Sequence, residues 1–134
     1  MNRVVHFEIQ AEEPVRAAKF YKDVFGWNIE KYTGEGIAWE YWMIMTAPTD
    51  SKDLGINGGI QKRPAQTPPP QCGTNAFTCT IDVINFDETS KKILSAGGKI
   101  ALPKFALPKM AWQGYFLDTE GNVFGIHEQD INAA

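Results

Sequence analysis

The chain writes one pattern twice, on either side of a proline-rich stretch, and that repetition limits the folds open to it. The first copy opens with the apolar strand "RVVHFEIQA" (Arg3 to Ala11). Then comes "EEPVRAAKFYKDVFGW", where Pro14 suits a first helical turn and Ala17, Ala18, Tyr21, Val24 and Phe25 recur at helical spacing until Gly26. Three strands follow: "WNIEKYT" (Trp27 to Thr33), "IAWEYWMIMTA" (Ile37 to Ala47) and "LGINGGIQKR" (Leu54 to Arg63), rich in aromatic and β-branched residues and bounded by Gly, Pro and Asp. After "PAQTPPPQCG" the order returns. "TNAFTCTIDV" (Thr74 to Val83) is a strand, and "NFDETSKKILSAGG" (Asn85 to Gly98) is a helix with Asn85 as N-cap and Glu88 at the capping-box position. The strands "KIALP", "AWQGYFLD" and "NVFGIHE" complete it. The predicted class is therefore α+β, two βαβββ modules in tandem forming an incomplete mixed β-barrel with a cleft. Residues 1–134 make a single domain, built from a module over 1–63, a linker over 64–73 whose prolines lack ladder donors, and a module over 74–130.

A net charge of -3 and no basic stripe argue against a nucleic-acid partner. No run of about 18 apolar residues suggests a membrane span, and acids come early in "MNRVVHFEIQAEE", so a cytoplasmic protein is expected. Cys72 and Cys79 are too few for a disulfide scaffold. Cys79 reads as a small core residue on a strand, and Cys72 as a loop thiol.

Period-two alternation sorts each strand into a helix face and a cleft face. On the first strand Val5, Phe7 and Ile9 form the helix set, which sends His6, Glu8 and Gln10 to the cleft. On the fifth, Phe77, Cys79, Ile81 and Val83 face the helix, leaving Ala76, Thr78 and Thr80. On the last, Phe124 and Ile126 face the helix, His127 and Gly125 the cleft, and Glu128 points away. Glu8 beside His6 has the makings of a catalytic base and its partner. The aromatics Trp39, Tyr41, Trp42, Trp112 and Tyr115 are candidate walls for a planar or apolar ligand. The candidate ligand-binding set is thus His6, Glu8, Gln10, Trp39, Tyr41, Trp42, Thr78, Trp112 and His127. "LPKFALPK" (Leu102 to Lys109) reads as an extended edge or loop over the cleft mouth.

The pieces "HFEI", "AAKFYKDVFGW", "LSAGGKI" and "LDTEGNVFGIHE" together resemble the vicinal oxygen chelate superfamily, which groups glyoxalase I, bleomycin resistance proteins and extradiol dioxygenases. The resemblance implies paired modules, usually in a homodimer, and in the metal-dependent members one ligand on the first and fourth strand of each module. His6 matches the first such position. The others fall near Gly59 or Ile60, at Ala76, and at Gly125, none of which offers a ligating side chain. The expectation is a metal-independent, cofactor-free protein that binds an apolar or aromatic small molecule, bleomycin resistance proteins being the precedent it resembles. The alternative is a glyoxalase-like lyase, isomerase or dioxygenase holding Zn, Ni, Mn or Fe on displaced ligands drawn from His6, Gln61 and His127, with Glu8 beside them.

Overall fold

The computed structural model describes residues 3–35, 39–67, 69 and 77–134. Elements run in the order β1 (Phe7–Ala11), α1 (Pro14–Phe25), β2 (Asn28–Lys31), β3 (Tyr41–Met45), β4 (Gly58–Lys62), β5 (Thr80–Asp82), α2 (Phe86–Ser95), β6 (Lys99–Leu107), β7 (Ala111–Leu117) and β8 (Val123–Gln129). This is βαβββ written twice, as two four-stranded mixed sheets. The chain divides into two compact units, residues 1–67 and 68–134, and the division falls within the proline-rich stretch.

In the first module the strand order is β1-β4-β3-β2, with β1 parallel to β4 and the other pairs antiparallel. The register sets Phe7 beside Gly58 and Ile44 beside Ile29, and Ile60 beside both Ile9 and Trp42. The aliphatic residues Ile29, Ile44 and Ile60 are buried with Ala17, Ala18, Phe20, Tyr21 and Val24 of α1. Burying each of these larger side chains contributes roughly 1.5–3 kcal/mol, so this apolar face is what holds the helix on the sheet. Trp27, just past the helix, stacks on Tyr21 at 5.2 Å and meets Phe7 at 5.9 Å between ring centroids. Gly26 stops α1 at φ 69°, the left-handed conformation that a β-carbon disfavours.

The second module repeats the order as β5-β8-β7-β6, again with its first and last strands parallel. Phe86 and Ile93 of α2 are buried with Phe116, Phe124 and Ile126 of the sheet. Asn85 caps α2 by accepting from the Glu88 amide at 2.9 Å. Glu128 does point away from its neighbour His127, and it has a task there: its Oε2 accepts from the Phe86 amide at 2.6 Å, a second cap supplied by β8.

Several boundaries differ from the sequence reading. Strand β1 begins at Phe7, and Val4 and Val5 ahead of it are 76% and 77% exposed, so Val5 joins no helix-facing set. Strand β5 begins at Thr80; Phe77 and Cys79 are exposed, so neither is a core residue. Alternation assigns them inward, but alternation holds only where a strand is paired, and pairing starts at Thr80 beside Gly125. Strand β6 runs past the expected end at Pro103 to Leu107, which makes most of "LPKFALPK" the extended edge expected of it, with register shifts on either side of Leu102 that accommodate Pro103. Ala76, Cys72 and the start of the expected strands at Ile37 and Thr74 lie outside the described residues.

Candidate functional site

Each sheet has a second face, away from its helix, and the polar residues collect there. In the first module the register aligns Glu8 with Gly59, Gly59 with Met43 and Met43 with Glu30 in one row across the sheet. The next row holds Gln10, Gln61 and Tyr41. His6 precedes β1 and reaches into this face: its Nε2 lies 2.9 Å from the Tyr41 hydroxyl and 3.8 Å from Glu8 Oε1. A histidine and a carboxylate from one end of the chain thus meet a phenol delivered by a later strand.

The meeting depends on a glycine. A β-carbon built at Gly59 would stand 2.1 Å from the Tyr41 oxygen and 2.2 Å from its Cζ, so the phenol end of that ring occupies the space a side chain at 59 would need. Burial, then the negative charge of Glu8 and its hydrogen bond, push the Tyr41 hydroxyl above the ordinary 10.0. The group therefore stays a neutral phenol through the physiological range. Beside it opens a shallow groove of about 410 Å³, lined by His6, Tyr32, Tyr41, Met43, Met45 and Asn57. Tyr32 is held opposite Tyr41 by its backbone amide, which donates to the Tyr41 carbonyl at 2.8 Å.

The second module builds a matching face in the same register. Thr80 pairs with Gly125 and Gly125 with Tyr115, while Asp82 pairs with His127 and His127 with Gln113. His127 Nδ1 and Gln113 Oε1 are 2.9 Å apart, and Gln113 is buried. At Gly125 a β-carbon would meet the Gln113 amide nitrogen and the Thr80 hydroxyl, both at 2.8 Å. Gly125 thus repeats Gly59, Thr80 repeats Glu8, and Gln113 repeats Tyr41.

The predicted residues divide accordingly. His6, Glu8 and Tyr41 come together, with Gln10 one row further along the same face. His127 stands on the equivalent face of the second module. Trp39, two residues ahead of Tyr41, is 57% exposed, and Thr78 is exposed ahead of β5. Trp42 and Trp112 fall on the opposite faces. Trp42 pairs with Ile60 and donates to Glu40 at 3.1 Å. Trp112 pairs with Glu128, donates to Asp130 at 3.0 Å, and carries the Lys104 ammonium 4.6 Å from its ring. A strand that shows Tyr41 on one side must show Trp42 on the other. Gln61 pairs with Gln10, four positions from His6 along the chain, or about 13 Å of extended backbone.

Residues missed from the sequence are Gln113, Tyr32, Met43 and Met45. Gln113 carries a signal, as the one amide side chain within the strand Ala111–Leu117. Met43 and Met45 carry one as well, since alternation puts them on Tyr41's side of one strand, and Tyr32 carries none.

Residues 3–126 match the family described as the Glyoxalase/Bleomycin resistance protein/Dioxygenase superfamily. The chain belongs to that superfamily. A glyoxylase-like domain-containing protein of Didymella fabae is 31% identical over 121 residues, covering 89% of this chain and 88% of that one. Among solved structures, a point mutant of the fosfomycin resistance protein FosX of Listeria monocytogenes, complexed with Mn(II) and 1S,2S-dihydroxypropylphosphonic acid, has a TM-score of 0.71 at 12% identity. The match covers 98% of this chain and 95% of that one. A glyoxalase-related enzyme of Fulvimarina pelagi has a TM-score of 0.67 at 14% identity, covering 100% and 96%. These likenesses show the glyoxalase-type fold.

Superfamily membership raises the matter of a metal, and the donor set answers poorly. Among the described residues no three His, Cys, Asp or Glu side chains come together in a way that holds a metal ion. The resemblance places one ligand position at Gly125 and another near Gly59 or Ile60, and at both glycines the vacant side-chain space is filled from neighbouring strands. A divalent ion needs about three or four donors at roughly 2 Å, and His6 by itself does not meet that.

Proposed function

We propose that this superfamily member binds an apolar or aromatic small molecule without a metal, and that the groove beside Tyr41 in the first module is part of the binding surface. The observation that carries this reading is the Tyr41 ring over Gly59, hydrogen-bonded to His6. It commits His6, the side chain at a family ligand position that has a metal-binding atom, to a phenol. It also puts an aromatic ring where a carboxylate ligand would have to stand. Tyr32, Met43 and Met45 make the remaining wall largely apolar, as small-molecule pockets generally are.

The test is metal content by mass spectrometry of untagged protein, before and after incubation with Ni, Zn, Mn and Fe(II), followed by a thermal-shift screen of planar aromatic compounds. The expected outcome is substoichiometric metal under every condition and stabilisation by a subset of the aromatics. Stoichiometric metal that disappears in His6→Ala would reverse the reading in favour of a lyase, isomerase or dioxygenase with displaced ligands.

A further inference from the structure

The groove's charge and lining narrow the ligand further, and the step rests on the binding function proposed above. None of the described residues lining it is a lysine or arginine. The register keeps Lys31 on the face of Trp42, and Lys62 follows Gln61 on that same far side. The acids are placed the other way: Glu8 and Glu30 share the Gly59 row, and Glu8, outside the lining itself, stands beside the lining residues His6 and Tyr41. His6 itself has its Nε2 engaged with the Tyr41 hydroxyl. An anionic ligand would lie close to the Glu8 carboxylate with no lysine or arginine in the lining to offset it. A cation would meet two phenol rings and two thioethers, with the Glu8 carboxylate beside His6 and Tyr41, a setting that favours a positive, weakly hydrated charge on an apolar body.

We infer that the groove takes a small organic cation, a protonated amine or cationic N-heterocycle on an apolar body, with its charge between the Glu8 carboxylate and the rings of Tyr41 and Tyr32.

Calorimetric titration with three probes of one shape separates charge from apolar contact: 1-naphthylmethylammonium, 1-naphthalenemethanol and 1-naphthoate. The ammonium is expected to bind at least about tenfold more tightly than the alcohol, and the carboxylate more weakly than either. Glu8→Gln is expected to remove most of the ammonium's advantage over the alcohol. Glu88→Gln on α2, in the other module, is expected to leave that advantage unchanged. Glu8 is 42% exposed, so its replacement leaves no buried hole, and a melting curve of the variant checks folding. A second measurement on the unaltered protein is salt dependence: added salt should weaken the ammonium and spare the alcohol. Equal binding of alcohol and ammonium, or an advantage that survives Glu8→Gln, overturns the cation inference and leaves the apolar binding function standing. If none of the three probes binds, both are overturned.

Discussion

Tyr41 is the residue on which the site turns, and its titration is open to measurement. Its hydroxyl ionises above 10.0 because burial and the Glu8 charge both oppose the phenolate. Ultraviolet titration should therefore show a tyrosine step at raised pH that is missing in Tyr41→Phe and that moves down toward 10 in Glu8→Gln. The stability consequence has a definite sign: a raised folded-state value favours the folded protein while the phenol is protonated. That contribution is whole below about pH 10 and is lost as pH climbs through the folded-state value. Asp130 works in the opposite direction. Hydrogen bonds from the Asn132 amide and the Trp112 indole lower its carboxyl, and its contribution is lost only as pH falls through that lowered value. The sequence shows Tyr41 as a wall aromatic and His6 as a polar residue on an otherwise apolar strand. It cannot show that they touch, since 35 positions separate them and only the pairing of β3 with β4 brings the ring back over Gly59. The tryptophans mislead for a related reason: aromatic density marks a strand without saying which of two adjacent rings faces the ligand.

Helix α2 shows how a strand can finish a helix. Its first turn is capped locally by Asn85 and from a distance by Glu128, so two of its free amides are satisfied by different parts of the chain. Asn85→Ala should cost about 1 kcal/mol in urea denaturation. Glu128→Ala should cost about 1–3 kcal/mol, because it removes a charge-assisted bond to a partly buried amide. The two losses should add imperfectly, since both act on one helix turn. The local cap is legible in "NFDE", whose residue types and spacing carry the signal. The remote cap is half legible: alternation turns Glu128 away from His127, but nothing in the sequence names Phe86 as its partner. The helices are legible to within a few residues, because proline, asparagine and glycine mark their ends chemically. Strand starts are not, because residues such as Val4, Val5 and Phe77 have strand propensity but no partner strand.

The repeat is the most legible feature of the whole chain, and the structure carries it down to register: the same rows hold glycine, phenol or amide, and carboxylate or hydroxyl in both modules. Each sheet also keeps its first strand at an edge, preceded by exposed apolar residues, Val4 and Val5 before β1 and Phe77 before β5. Edges of that kind are ordinarily covered. The proposed cover is a second copy of the chain, and light scattering should return twice the 15.0 kDa chain mass, with Val5→Lys shifting the population toward monomer. A monomer at every concentration would end that proposal. The parallel pairs β1–β4 and β5–β8 have one more effect, on time. Phe7 finds its partner only at Gly58, and Thr80 only at Gly125, so neither sheet closes until its whole module has been synthesised. On the ribosome the first module can therefore close while the second is still being made, and the proline-rich stretch between them gives the emerging chain an interval in which the finished half folds before the second set of strands arrives to compete for the same register.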